Sequence, residues 1–399
     1  SAGWVISEEN FFEPLKDVFS FFKLKGSWGM MGNDNITAYQ YLSMYSFNTD
    51  SYYAFGKTPV SVQSIYETVT ANPLVTWETA KTWNIGFSSQ FLNGKLGLDL
   101  DYFQSNRNDI LITRNASIPT YSGLSLPAEN LGKVKNHGFE AIATYRDSKG
   151  DFEWGVTGNV TYAKNEVVYA DEAADTPAWQ RETGHPIDGG TYYKALGIYQ
   201  TQEQIESTPH LSGTKIGDLI YQDTNKDGNI TWDDAVRRDK SATPKWIFGL
   251  TLNGSWKGMD VNAFFQGQAD AEILVQPTMN MATDFYEGRW SESNTAEQNA
   301  AAKWPRAFMK ASSVDNRNSQ SSTWWLRDAS FVRLKSLEIG YTFPKTLISP
   351  LGVEKLRLYV NGNNLFTIDS VGIFDPEMTN GIRGYSLQRS WTFGLNVTF

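Results

Sequence analysis

The chain is 399 residues long, carries a formal net charge of −9 and contains 14% aromatic residues but no cysteine. The acidic balance argues against nucleic acid as a partner, since phosphate contacts need a basic surface, and the missing cysteine removes disulfides, thiol catalysis and cysteine zinc sites. No run of about eighteen apolar residues occurs, which excludes a transmembrane helix but not a membrane barrel, whose strands alternate.

In chain order, Ser1-Ala2-Gly3-Trp4 shows no secretion signal, so either the protein stays in the cell or its beginning lies upstream. The organisation that follows favours the second. Gly3 to Ser7 reads as the tail of a strand, followed by a turn through Pro14. Further strands are predicted near 21–29, 76–92, 94–112, 137–147, 152–166, 244–256, 258–268, 329–343, 354–366 and 388–399. Their signal is period-two alternation. Leu96, Leu98, Leu100 and Tyr102 alternate with Gly97, Asp99 and Asp101; Trp246, Phe248, Leu250, Leu252 and Trp256 with Gly249, Thr251, Asn253 and Ser255; Trp391, Phe393, Leu395, Val397 and Phe399 with Thr392, Gly394, Asn396 and Thr398. Glu140, beside Phe139, then points to the polar side.

A soluble sandwich also alternates, and its core could absorb these tryptophans. Two features point to a membrane. Trp246 and Trp256 lie ten residues apart on one face, about 33 Å at ~3.3 Å per residue. Tilted by roughly 40°, that becomes about 25 Å, the height of the apolar band between aromatic girdles. The connections also alternate in length. Asn93-Gly94 reads as a two-residue hairpin turn, 147–151 and Lys257-Gly258 are tight, and 344–354 is slightly longer; 30–75, 113–136, 167–243, 269–328 and 367–387 are long. Short turns on one side and long loops on the other predict an all-β, antiparallel transmembrane barrel of about ten or eleven strands in this chain, with the long loops extracellular.

Several segments carry a family resemblance: Leu24-Lys25-Gly26-Ser27-Trp28-Gly29, the run from Asn130 to Glu140, Gly217-Asp218 leading into Asp223-Thr224-Asn225-Lys226-Asp227-Gly228, Ala329 to Lys335, Asn363-Asn364-Leu365-Phe366 and Asp375-Pro376-Glu377. In that order they resemble the C-terminal half of SusC/RagA-like TonB-dependent transporters of Bacteroidetes. The resemblance implies a barrel of roughly 22 strands in the outer membrane, with a plug and a TonB-contacting segment that are not among these residues. It also implies a SusD-like surface lipoprotein as lid, TonB as the energy source, an oligosaccharide or oligopeptide cargo and two barrel–lid pairs per assembly. Phe399 then looks like a barrel-assembly signal, or simply a lipid-facing residue.

One constellation carries chemistry of its own. Asp223, Asn225, Asp227, Gly228 and Asp234 occupy positions 1, 3, 5, 6 and 12 of an EF-hand-like loop. Ca²⁺ needs six to eight hard oxygen ligands, and alternate side chains plus the Asn229 carbonyl supply them, with Ile230 as the apolar anchor. Asp replaces the bidentate Glu at the last position, with Asp233 or Asp218 nearby to compensate, and Asx-turn hydrogen bonding alone also produces such a loop. The expectation is a structural calcium in the 167–243 extracellular loop. His137, His185 and His210 are scattered, no HExxH or GxSxG motif occurs, and Asp171-Glu172 and Asp233-Asp234 read as solvated pairs or metal ligands, so no enzyme is predicted. Trp290, Trp304, Trp324 and Trp325 in the 269–328 loop either stack on sugar rings or pack the loops, and 293–303 reads as a short helix. The leading function is import of a nutrient. The alternatives are a secreted, calcium-stabilised all-β carbohydrate-binding or adhesion protein, which needs a second sheet, and a passive porin.

Overall fold

The computed structural model describes residues 1–36, 38–48, 57, 64–114, 126–275, 282–307, 317–378 and 385–399. The rest of the expected connections 30–75, 113–136, 269–328 and 367–387 lies outside the described residues. Eleven strands form one antiparallel sheet in consecutive order: β1 (Ala2–Val5), β2 (Phe19–Asn33), β3 (Glu78–Phe91), β4 (Leu96–Thr113), β5 (Ala128–Lys149), β6 (Phe152–Tyr169), β7 (Trp246–Trp256), β8 (Met259–Ala269), β9 (Phe331–Thr342), β10 (Lys355–Asp369) and β11 (Ser390–Thr398). Each strand pairs with its neighbours in sequence, as hairpin-by-hairpin growth of a barrel wall requires.

The alternation seen in sequence sorts the two faces. Phe152, Trp256, Met259, Tyr341, Leu358 and Leu395 are register partners across six strands. All six are between 37% and 57% exposed. A row of large apolar side chains open to the outside is a surface for lipid, not a soluble face. Ten residues along, Tyr162 pairs with both Phe139 and Trp246. Trp246 packs on them at ring-centroid distances of 5.7 Å from Phe139 and 4.7 Å from Tyr162. Trp246 and Trp256 thus stand at opposite ends of β7 on one face, each with an aromatic register partner, Tyr162 and Phe152.

The other face is polar. Lys25 Nζ lies 2.6 Å from Asp101, Arg357 Nη2 lies 2.7 Å from Glu338 and Arg357 also holds Asp260, while Asn361 donates to Ser336 Oγ at 3.2 Å. Glu140 sits on this face, in register with Asp101 and Thr161. Among the described residues the other sheets have two strands each, and the apolar row stays exposed.

Two boundaries differ from expectation. The Asn93-Gly94 turn is not a two-residue loop, because Phe91 pairs with Leu96 and the chain reverses over 92–95, with Leu92, Asn93 and Gly94 all at positive φ. The two-residue turn with both residues left-handed is at Lys257 (φ 46) and Gly258 (φ 89) instead. Strand β5 begins at Ala128, nine residues before the predicted 137. Residues 128–136 lack alternation, yet Asn130 bridges the neighbouring strands: its Nδ2 donates to the Asp109 carbonyl at 2.7 Å and its Oδ1 accepts from Thr76 N at 2.9 Å.

Candidate functional site: a cap folded from three long connections

The turns 92–95, 150–151, 257–258 and 343–354 lie at one end of the sheet, and the long connections leave from the other. Those between β6 and β7, β8 and β9, and β10 and β11 fold together. Their buried cluster draws Tyr193, Leu219, Tyr221 and Ile230 from the first, Ile273, Trp304 and Trp325 from the second, and Val371 from the third. The chain's main apolar core is therefore in this cap. Connections 167–243 and 269–328 share one core, extended by 371–374.

Buried polar groups fasten the connections to each other. Asp218 is fully buried and accepts from Lys215 N and Asn318 Nδ2 at 2.8 Å each and from Arg306 Nη2 at 3.3 Å, with Arg306 Nε 2.6 Å away in the ion pair. Asn318 in turn accepts from Leu219 N at 2.9 Å. Arg333, at the cap end of β9, is 1% exposed; it donates to both oxygens of Asp375 at 2.8 Å, to Glu377, and to Thr367 Oγ1 at 2.8 Å. The motifs 329–335 and 375–377, forty residues apart, thus meet as one clamp. Burial pushes the Tyr221 phenol well up in pKa, and its OH donates to the Arg317 carbonyl at 2.6 Å.

The Asx-rich loop hangs on this core through Ile230, which is 7% exposed. Asp223 accepts from the amides of Lys226 (2.7 Å), Asp227 (3.2 Å) and Gly228 (2.9 Å), while Asn225 Oδ1 accepts from Asp227 N (3.0 Å) and Asp227 Oδ1 from Asn229 N (2.8 Å). Gly228 takes φ 85, the left-handed turn that position 6 needs. This near side suits a hard cation in donor chemistry. The far side is committed elsewhere: Asp234 is fully buried and accepts from Thr224 N at 2.8 Å, Asn225 N at 3.3 Å and Thr231 N at 2.8 Å. Among the described residues no three His, Cys, Asp or Glu side chains are grouped so as to hold a metal ion.

Of the four tryptophans singled out, Trp290 (8% exposed), Trp304 (2%) and Trp325 (0%) are core residues. Trp324 is half-buried and lines a cavity of about 520 Å³ with Asp284, Lys303, Trp304 and Arg327, closed on its far side by 371–373. The Arg327 guanidinium sits 5.1 Å from the Trp304 ring centroid. Sequence reading missed Lys303, Arg327 and Asp284, because nothing in their spacing joins positions from separate turns. The predicted helix at 293–303 is the shorter Ala296–Ala300, with Thr295 and Gln298 in a capping box. A second capped helix, Gln202–Ser207, was legible in its Thr201/Gln204 pair but was not predicted. His185 Nδ1 meets Asp239 at 2.6 Å.

The family described as TonB dependent receptor-like, beta-barrel, matches residues 21–365. TonB-dependent receptor P3 of Formosa agariphila is 28% identical over 431 aligned positions, which take in 99% of this chain and 41% of the relative. TonB-dependent receptor SusC of Bacteroides thetaiotaomicron is 27% identical over 408 positions, 100% of this chain and 39% of the relative. The RagAB peptide transporter superposes with a TM-score of 0.73 at 21% identity, covering 100% of this chain and 42% of that one, which speaks for the fold alone. The chain spans about two fifths of the length of the curated relatives it matches. With a family match running from β2 into β10, a lipid-ready outer face and a polar inner one, the chain belongs to the TonB-dependent receptors and is part of an integral outer-membrane β-barrel.

Proposed function

We propose that this chain forms part of the wall and the extracellular cap of an importer that carries a nutrient, an oligosaccharide or oligopeptide, across the outer membrane. TonB drives transport through the part of the protein that carries the plug, and a SusD-like surface lipoprotein covers the cap, two barrel–lid pairs making the assembly. The observation that carries the reading is the cap itself. Three connections condense on one core over the mouth of a polar-faced wall, which gives a folded platform for cargo where a passive pore needs only an opening. Mild-detergent isolation of the intact protein from outer membranes, with mass spectrometry of its companions, tests it. A longer chain with a plug and a stoichiometric surface lipoprotein is expected; a barrel recovered alone, conducting without TonB, sinks the reading in favour of a porin.

We also propose that Ca²⁺ is a structural ion of the loop that carries Asp223, Asn225, Asp227, Asn229 and Asp234. The oxygen-only donors at near-complete EF-hand spacing and the left-handed Gly228 support it. Binding has to compete with the three amide hydrogen bonds that Asp234 accepts. Protease cleavage within 223–234, followed with and without a chelator, decides: protection that ignores calcium leaves a loop closed by hydrogen bonds alone.

A further inference from the structure

The cavity beside Trp324 brings an indole, two cations and a carboxylate together. Lys303 and Arg327 both face it, and among the described residues neither has an ion-pair partner. Arg327 spends one nitrogen, Nη1, on the carbonyls of Trp324 (2.7 Å) and Leu326 (2.9 Å). Its other nitrogens make no hydrogen bond among the described residues. Burial pushes the Arg327 pKa down, against the pull of Asp284; arginine nevertheless stays charged, so a half-buried guanidinium with spare donors is a site waiting for an anion. Asp284 accepts from Trp304 Nε1 at 2.9 Å through Oδ2 and keeps acceptor capacity for a hydroxyl.

The wall also discriminates between cargo classes. Extended peptides are held mainly through main-chain hydrogen bonds to a free edge. Here the main chain is occupied: the Lys303 carbonyl accepts from Trp324 Nε1 at 3.1 Å, the Trp324 and Leu326 carbonyls accept from Arg327, and Leu326 to Asp328 pair with Glu272 to Leu274. What the cavity offers is an indole face, aliphatic Val371 and Ile373, two cations and a carboxylate. That set matches a pyranose ring bearing hydroxyls and one negative group, and about 520 Å³ accommodates one or two such units.

We propose that this cavity is the cargo subsite for the anionic unit of an oligosaccharide, a uronate or sulfated pyranose, with its ring on Trp324 and its charge against Arg327 and Lys303; the proposal rests on the import reading above. The test uses the full-length transporter in detergent and calorimetric titration with four probes: hexagalacturonate, its methyl ester, a sulfated neutral hexasaccharide and hexaglutamate. At least one anionic saccharide is expected to bind about tenfold or more tightly than the methyl ester, and which one does so separates carboxylate from sulfate. Arg327→Met and Lys303→Met each remove about that factor, Arg327→Lys restores part of it, and Trp324→Ala weakens every saccharide. Heat-modifiable gel migration confirms that each variant has assembled. Binding of no probe, equal affinity for acid and ester, indifference to Arg327→Met, or preference for hexaglutamate each overturns the assignment. Uptake by cells separates the two readings. Import of a neutral saccharide unaffected by Arg327→Met leaves the importer standing without this subsite, whereas charge-selective binding without TonB-dependent uptake keeps the subsite and removes the importer.

Discussion

Replacing Arg333 by Met tests whether the cap is held by its polar clamps or by its apolar core alone. Met keeps most of the side-chain volume and the contact with Phe331, whose ring centroid is 4.9 Å from the guanidinium carbon. The charge is lost, and Asp375 and Glu377 are left facing each other with side chains 11% and 29% exposed. Breaking a buried pair from one side costs about 3–5 kcal/mol. Since Glu377 can turn towards water, the lower end applies, ~3 kcal/mol. The penalty falls on docking of the 370–378 segment, because the strand pairing of β9 with β10 does not depend on it. At 1.4 kcal/mol per decade the open population of that segment rises about a hundredfold. Amide exchange at 371–378 in detergent-solubilised protein reads this directly. Val371 and Ile373 close the cavity, so ligand affinity falls as well, although nothing in the cavity has been touched. Neutralising both acids in the same chain, with Asp375→Asn and Glu377→Gln, recovers part of the loss. An exchange rate within threefold of the unmodified protein would refute the argument.

Asp218→Ala removes the buried acceptor shared by Lys215 N, Arg306 and Asn318 and is expected to cost about 3 kcal/mol, exposing 170–245 and 270–330 to protease together while the strands stay protected; cleavage in only one of them contradicts a shared hub. Gly138→Ala places a Cβ 1.9 Å from the Tyr162 carbonyl and 3.0 Å from Ala163 Cα, so the pairing of β5 with β6 must shift and the yield of heat-modifiable barrel drop; an undiminished yield shows that the wall can give. Burial opposes the Asp270 charge, but Lys245 and Lys240, each 2.9 Å away, prevail and hold its pKa below the usual carboxylate range. A depressed folded pKa stabilises fully at neutral pH and is lost as pH falls below about 4 through the folded value. Exchange protection at 240–245 should fall over that window and lose its pH dependence in Asp270→Asn.

The wall was legible because lipid and lumen impose the same alternation on every strand. Leu250 and Thr251 declare their faces without reference to any other segment, and the lengths of the connections declare their side. Where the pattern lapses, as between Ala128 and Asn136, strand structure depends on a cross-strand side chain, Asn130, whose partners Thr76 and Asp109 are distant in sequence. The cap is that situation throughout. Its aromatics carry no period, so Trp304 and Trp325, stacked at 5.7 Å in the core, read the same in sequence as half-exposed Trp324. The Gly217-Asp218 and Asp375-Pro376-Glu377 motifs stood out, yet what they bind, Arg306 and Arg333, lies 88 and 42 residues away from Asp218 and Asp375. Spacing cannot announce such a pairing; only the fold makes it.

That division bears on how the cap works. Ala271 and Ala329, just beyond β8 and β9, and Val371, just beyond β10, are all within the cap's buried cluster. Three consecutive strands therefore run directly into one core, and Arg333 ties the third connection to the wall from within β9. A cap rooted this way cannot swing as a lid on a single hinge, since each root fixes the orientation that another would have to leave, and any motion that separates 370–378 from the wall also has to break the Arg333 clamp. Its apolar interior makes it bistable at best, not continuously deformable. In the proposed importer, closure over cargo would come from a separate body, and the cap would supply the fixed half of the site, with Trp324, Lys303 and Arg327 on backbone that is already hydrogen-bonded. Pre-ordering of that kind lowers the entropy cost of capture, which is what a binding platform open to dilute cargo needs.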